Sequence, residues 1–118
     1  MSIVQYIIVR SDLKTILNWP LGAVIAQCCH AATAVLRLFA DDEQTIQYLE
    51  DLDNMHKVIL EAKNDTVLLK LAEKLKEGDI KHKLWIEQPE NIPTCLAIKP
   101  YAKENVQQYV KHLKLLLD

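Results

Sequence analysis

The run Val4-Gln5-Tyr6-Ile7-Ile8-Val9-Arg10-Ser11-Asp12-Leu13-Lys14, followed after a short loop by Gly22-Ala23-Val24-Ile25-Ala26-Gln27-Cys28-Cys29-His30-Ala31-Ala32-Thr33-Ala34, decides the fold. Val4, Tyr6, Ile7, Ile8 and Val9 make a β-branched and aromatic run with no charge inside it, which suits a strand covered on both faces of its sheet. Arg10-Ser11-Asp12 ends that strand. Pro20 fits the first turn of a helix, where its missing N–H is no loss. The helix then sets Gln27 and His30 three apart, on one face. Strand, polar loop and helix in this order predict an α/β domain, with Lys14 in the loop at the strand's C-terminal end, where open α/β sheets bind ligands.

The rest of the chain continues the alternation. Asp41-Asp42 offers cap chemistry for a second helix, in which Ile46, Leu49 and Leu52 recur at threes. Lys57 to Ala62 reads as a strand. Asn64 caps a third helix with the stripe Val67, Leu68, Leu71 and Leu75, and Gly78 stops it. Ile80 to Glu87 predicts a third strand and Thr94 to Ile98 a fourth. Val106, Tyr109, Val110, Leu113 and Leu117 then predict one final helix. The expected architecture is a single domain over residues 1–118, a three-layer α/β/α sandwich on a mixed sheet of about four strands. The loop from Gln88 to Ile92 is too short for a crossover, so the third and fourth strands pair antiparallel. If the first and third strands are parallel, their C-terminal ends share a sheet edge with the start of the fourth. Lys14, Glu87 and Thr94 then converge.

A chain of 118 residues can bury roughly two thirds of its unfolded surface without disulfides or metals. Half of its residues are hydrophobic and a quarter charged, as in ordinary globular proteins. Three cysteines cannot all pair, and Cys28 and Cys29 are neighbours, so free thiols and a reducing, cytoplasmic compartment are expected. No transmembrane stretch or leader is expected, the chain entering a strand almost at once. The net charge of −2 argues against non-specific nucleic-acid binding. Locally, Lys99, Lys103, Lys111 and Lys114 gather away from Asp41-Asp42-Glu43 and Glu50-Asp51-Asp53. This is either two solvated helix faces or a basic patch beside the site. Two glycines exclude a phosphate-cradling glycine loop. Cys28, Cys29 and His30 point in different directions on a helix, and His56, His82 and His112 lack ligand spacing, so no metal or cofactor is expected.

Asp12-Leu13-Lys14, Gly22 and Ala26-Gln27-Cys28-Cys29-His30-Ala31-Ala32 together resemble the signature of the type 2 (archaeal and eukaryotic) peptidyl-tRNA hydrolase family. Thr94-Cys95-Leu96-Ala97-Ile98-Lys99-Pro100 resembles that family's Thr-Val-Leu-Gly-Ile-Gly-Pro strand. Asn18-Trp19-Pro20, Trp85-Ile86-Glu87-Gln88-Pro89-Glu90-Asn91 and Lys99-Pro100-Tyr101 are similar to a divergent branch, the peptidyl-tRNA hydrolase domain-containing proteins. The resemblance spans almost the whole chain. It implies a metal-independent esterase that cleaves the bond between a peptide and the 3′ end of tRNA, with a homodimer as the assembly and no membrane partner.

Such hydrolysis needs an activated water, a stabilised oxyanion and a protonated ribose oxygen. The resemblance implies Lys14, Glu87 and Thr94 as site residues, with Gln27 and His30 matching the helix positions. Lys14 would clamp a phosphate or the oxyanion, Glu87 or His30 would orient or activate water, and Thr94 would position the ester. Arg10, Gln27, Trp19 and Lys99 are candidate substrate-binding side chains. Plainer roles compete: an exposed loop charge for Lys14, a helix–sheet contact for His30, a backbone cap for Gln27, a solvated acid for Glu87. Thr94 has good strand propensity in any case. Trp19 is either a base-stacking platform or a hydrophobic staple, and Trp85 reads as core. Departures from the family's pattern are a longer loop after Lys14, Ala23 where a second lysine is expected, and Glu87 in place of an aspartate. They favour, as the alternative, a binding module for RNA or protein without turnover. A small-metabolite α/β enzyme is the remaining reading.

Overall fold

A computed structural model describes residues 2–117. Its elements are β1 (Ile3–Arg10), α1 (Asp12–Thr15), α2 (Leu21–Leu38), α3 (Glu43–Glu50), a 3₁₀ turn (Leu52–Asn54), β2 (Lys57–Ala62), α4 (Asp65–Glu77), β3 (His82–Glu87), β4 (Ile92–Ile98), β5 (Tyr101–Ala102), α5 (Lys103–Val110) and β6 (Lys114–Leu115). The sheet is mixed, in the order β3-β4-β1-β2-β6, with β5 pairing β1. Parallel pairing of β1 with β2 sets Gln5 opposite Lys57 and Arg10 opposite Ala62. Antiparallel pairing of β1 with β4 sets Ile7 opposite Ala97 and Val9 opposite Cys95.

The central strand is apolar on both faces because both are covered. Val4, Tyr6 and Ile8 face one core with Leu60, Leu68, Leu71, Leu75, Leu96, Ile98, Val106 and Val110, supplied by α4, α5 and the sheet. Ile7 and Val9 face the other, with Leu13, Val24, Ala31, Ala32, Val35, Cys95 and Ala97 under α2. The alternation is the period-two signature of a strand. Asp42 caps α3 by accepting from the backbone N–H of Gln44 and Thr45, and Asn64 caps α4 by accepting from Val67.

The sandwich stands as the pattern predicts, including the antiparallel β3–β4 pair, but several details differ. The sheet has six strands rather than about four, because β5 and β6 are two-residue strands too short to show a period. The last helix ends at Val110, so Leu113 and Leu117 of the expected stripe lie beyond it, with the strand β6 between them. In α3 the buried face is Thr45 and Tyr48, whereas Ile46 and Leu52 are exposed. Lys14 lies not in a loop but on the one-turn helix α1, anchored by the fully buried Leu13. By length and composition α2 is apolar enough to cross a bilayer, contrary to expectation. Here it lays Val24, Gln27, Ala31, Ala32 and Val35 against the sheet.

The register between β3 and β4 carries an irregularity that matters below. Trp85 pairs with Cys95, and the next residue, Ile86, pairs with Pro93, so Thr94 is an extra residue with no partner on β3. That is a β-bulge, and a proline in an interior strand is accommodated at such a break.

Candidate active site

Because β3 runs parallel to β1, the ends of both strands and the start of β4 share one edge of the sheet. Thr94, Gln27 and Glu87 meet there. Regular alternation would turn Thr94 to the face of Leu96 and Ile98, toward α4. The bulge instead lets it face α2 with its neighbour Cys95, and its hydroxyl donates to Gln27 Oε1 at 2.7 Å. Gln27 spends its amide N–H groups on Glu87 Oε2 and the Ala23 carbonyl, both at 3.2 Å. The other carboxylate oxygen, Glu87 Oε1, accepts from Trp85 Nε1 at 2.9 Å. Both Thr94 and Gln27 are buried.

The direction of the relay is fixed by chemistry. An ionised carboxylate only accepts, so Gln27 must offer it the amide nitrogen and keep its oxygen for the Thr94 hydroxyl. The indole N–H of Trp85 holds the Glu87 carboxyl below the usual range against the opposing effect of burial. The Gln27 amide, the charge of His30 and the Gln88 backbone N–H add to this. His30 is exposed and stacks on Trp85, with ring centroids 4.7 Å apart and planes 21° apart. Trp85 therefore reaches Glu87 with its edge and His30 with its face.

Of the expected trio, Glu87 and Thr94 share the sheet edge and are joined through Gln27, and His30, though exposed, makes a helix–sheet contact through its stack on Trp85. Lys14 stands exposed on α1, which begins two residues beyond the end of β1. The other candidates have structural partners. Arg10 is buried, its guanidinium donating twice to Asp12 at 2.9 Å and once to the Pro93 carbonyl at 3.0 Å. The hydrogen bond to Asp12 outweighs burial and raises the pKa of Arg10. Arg10 therefore braces the bulge and has no free face for substrate. Trp19 packs on the α2-side core, the staple rather than the platform. Lys99 sits past the far end of β4, 2% exposed, with its ammonium on Asp42 and on the Pro100 carbonyl, both at 2.7 Å, and over the Tyr101 ring. It belongs neither to the site nor to a surface basic patch.

Trp85 packs against the α2-side core, as its residue type suggests, and in addition turns its indole N–H to Glu87 and its face to His30. Its position two residues before Glu87 on a strand was the signal that the two share a face. Beside it an open groove of about 420 Å³ runs between α2 and β3, lined by Cys29, His30, Thr33, Ala34, Arg37 and Trp85. Among the described residues, no three His, Cys, Asp or Glu side chains gather as a metal would require.

The family model described as "Peptidyl-tRNA hydrolase PTH2" matches residues 3–116. A Mus musculus protein, "Putative peptidyl-tRNA hydrolase PTRHD1", is 52% identical over 114 residues, covering 96% of this chain and 81% of that one. Its Homo sapiens counterpart of the same description is 51% identical over the same shares. A Dictyostelium discoideum protein, "Probable peptidyl-tRNA hydrolase 2", is 32% identical over 117 residues, covering 94% of this chain and 53% of its own length.

Proposed function

Since the chain belongs to the PTH2 family of peptidyl-tRNA hydrolases, we propose that it hydrolyses the ester joining a peptide to the 3′ end of tRNA, releasing peptide and free tRNA. The observation that carries this reading is the Thr94–Gln27–Glu87–Trp85 relay at the sheet edge. The Thr94 hydroxyl donates to Gln27 Oε1 and is fully buried, so it serves by fixing the Gln27 amide against Glu87. The Glu87 carboxylate, ionised and clamped at both oxygens, keeps lone pairs to accept from a water. A water donating to the partly exposed Glu87 carboxylate would be oriented with its own lone pair toward the ester carbon.

Water then adds to the acyl carbon, its proton passing to the His30 imidazole or the Glu87 carboxylate. The Lys14 ammonium stabilises the oxyanion. Collapse breaks the acyl–oxygen bond, and the ribose 3′ oxygen takes the proton as it leaves. No metal enters this scheme. Action in the cytoplasm and as a homodimer are parts of the same proposal. Ala23, standing where the family's pattern expects a lysine, favours the second reading, a module that binds its partner without turnover.

Release of N-acetyl amino acid from N-acetyl-aminoacyl-tRNA tests the proposal, with unblocked aminoacyl-tRNA and Lys14→Ala protein as controls. Cleavage of the blocked ester alone, reduced about a hundred- to a thousandfold by Lys14→Ala, is the expected result. Absence of cleavage at micromolar protein would overturn turnover and leave the binding module.

A further inference from the structure

On α2, His30, Thr33, Ala34 and Arg37 follow at intervals of three, four and seven, which keeps them on one face. With Trp85 of β3 they line the open groove of about 420 Å³. One end is the His30–Trp85 stack, whose indole also holds Glu87, so the groove starts at the carboxylate. The other end is Arg37, two helical turns or about 10 Å further along. Arg37 is exposed and makes no ion pair or side-chain hydrogen bond among the described residues. No carboxylate lines the groove between its ends.

An aromatic stack, a small-residue floor and an uncommitted guanidinium, in that order, complement a nucleotide. Bases stack on aromatic faces whatever their sequence, and a guanidinium pairs with phosphate through its planar fork. We propose that this groove seats the 3′-terminal nucleotide of the tRNA, its base against His30 and its 5′ phosphate on Arg37. The inference rests on the reading of the preceding subsection. There the esterified ribose lies at the Glu87–Thr94 end, so its own base and phosphate are the groups next in reach. A peptide chain gains nothing from the guanidinium and has exposed apolar side chains at Ile16, Leu17, Leu21 and Ile25 to lie on instead. A chain of net charge −2 must place its phosphate-directed cations locally, and Arg37 supplies one that Ala23 does not.

The probe is the trinucleotide rCpCpA, titrated at several salt concentrations against the wild type, Arg37→Gln, His30→Ala and Lys70→Gln. Lys70 is an exposed lysine of α4, on the opposite layer of the sheet. Arg37→Gln is expected to weaken binding about tenfold and to lower the salt slope by about 0.7, one single-strand phosphate. His30→Ala is expected to weaken it about tenfold with the slope unchanged. Lys70→Gln should do neither. Equal behaviour of Arg37→Gln and Lys70→Gln, or no trinucleotide binding by the wild type at millimolar concentration, overturns the subsite. N-acetyl-aminoacyl-tRNA hydrolysis, run in parallel, separates the two claims. Hydrolysis with Arg37-independent binding sinks the groove and keeps the enzyme. Arg37-dependent binding without hydrolysis keeps the groove and sinks turnover. A dependence on peptide length that changes in Arg37→Gln assigns the groove to the peptide and also overturns the proposal.

Discussion

Glu87 has a fixed donor on each oxygen, and the two donors do different work. Gln27 ties the carboxylate to Thr94, whereas the Trp85 indole holds its pKa below the usual range and carries His30 on its face. Trp85→Phe separates these roles, since phenylalanine keeps a stacking surface and loses the N–H. A hydrogen bond to a charged group is worth about 1.5–3 kcal/mol, so kcat should fall roughly ten- to a hundredfold. The sign of the pH effect is set by the direction of the shift. Glu87 is held below its usual range, so activity that needs the carboxylate is lost only as pH falls through that lowered value. Without the indole the value rises, and the acid limb of kcat against pH moves to higher pH. Carboxyl ¹³C titration of Glu87 should move the same way even if turnover is absent. An unmoved titration would remove Trp85 from the site. The nearness of Glu87 to Thr94 was legible from strand ends, and the shared helix face of Gln27 and His30 from their spacing, while their assignment to a site came from the family resemblance. The partners of Lys99 and Arg10 were not legible, because residue type suggests free charges, and the core reading of Trp85 holds without revealing its hydrogen bond to Glu87. Lys99 is paired with Asp42, 57 positions away, which no local pattern encodes. The partners of Arg10 and Trp85 stand only two residues off, at Asp12 and Glu87, and are set by side-chain rotamer and burial rather than by sequence distance.

At the scale of elements, long helices and covered strands could be read from periodicity, and short pieces could not. Two-residue strands such as β5 and β6 hold their place by pairing with β1 and β2, not by their own pattern. The end of α4 makes the same point. Gly78 was read as a helix stop and is the C-cap of α4, but not through a left-handed backbone: its φ is −83°, and the left-handed residue is Asp79 at φ 55°. Glycine is required at 78 for space, because a Cβ there would run into the hydroxyl of Tyr109 on α5. Gly78→Ala is therefore expected to destabilise the fold by about 1–3 kcal/mol, the usual cost of overpacking. Tyr109→Phe removes the obstructing oxygen and should recover part of that loss, seen as a coupling energy in urea denaturation of the double-mutant cycle. Additive effects would mean that the contact is not the cause.

For the molecule as a whole, β1 is the member shared by both cores. Ile7 and Ile8 are adjacent, nearly fully buried, and belong to opposite layers. If the layers fold as one cooperative body, Ile7→Ala and Ile8→Ala should each cost about 2–5 kcal/mol and leave the urea m-value unchanged. A lowered m-value in only one of them would reveal a layer that melts alone. The sandwich, its antiparallel pair and the shared edge followed from strand order. The placing of Thr94 did not, because period two sends it to the wrong layer.

The missing step of alternation in β4 sets stability and chemistry against each other at one spot. A chain shortened by a single residue there would regain an unbroken ladder, the more regular sheet. It would also carry the Thr94 hydroxyl to the far side of the sheet, away from Gln27. Selection for robustness alone would erase the feature. In a strand otherwise fully covered, that irregular backbone is what places the hydroxyl on the side of α2, where Gln27 accepts from it.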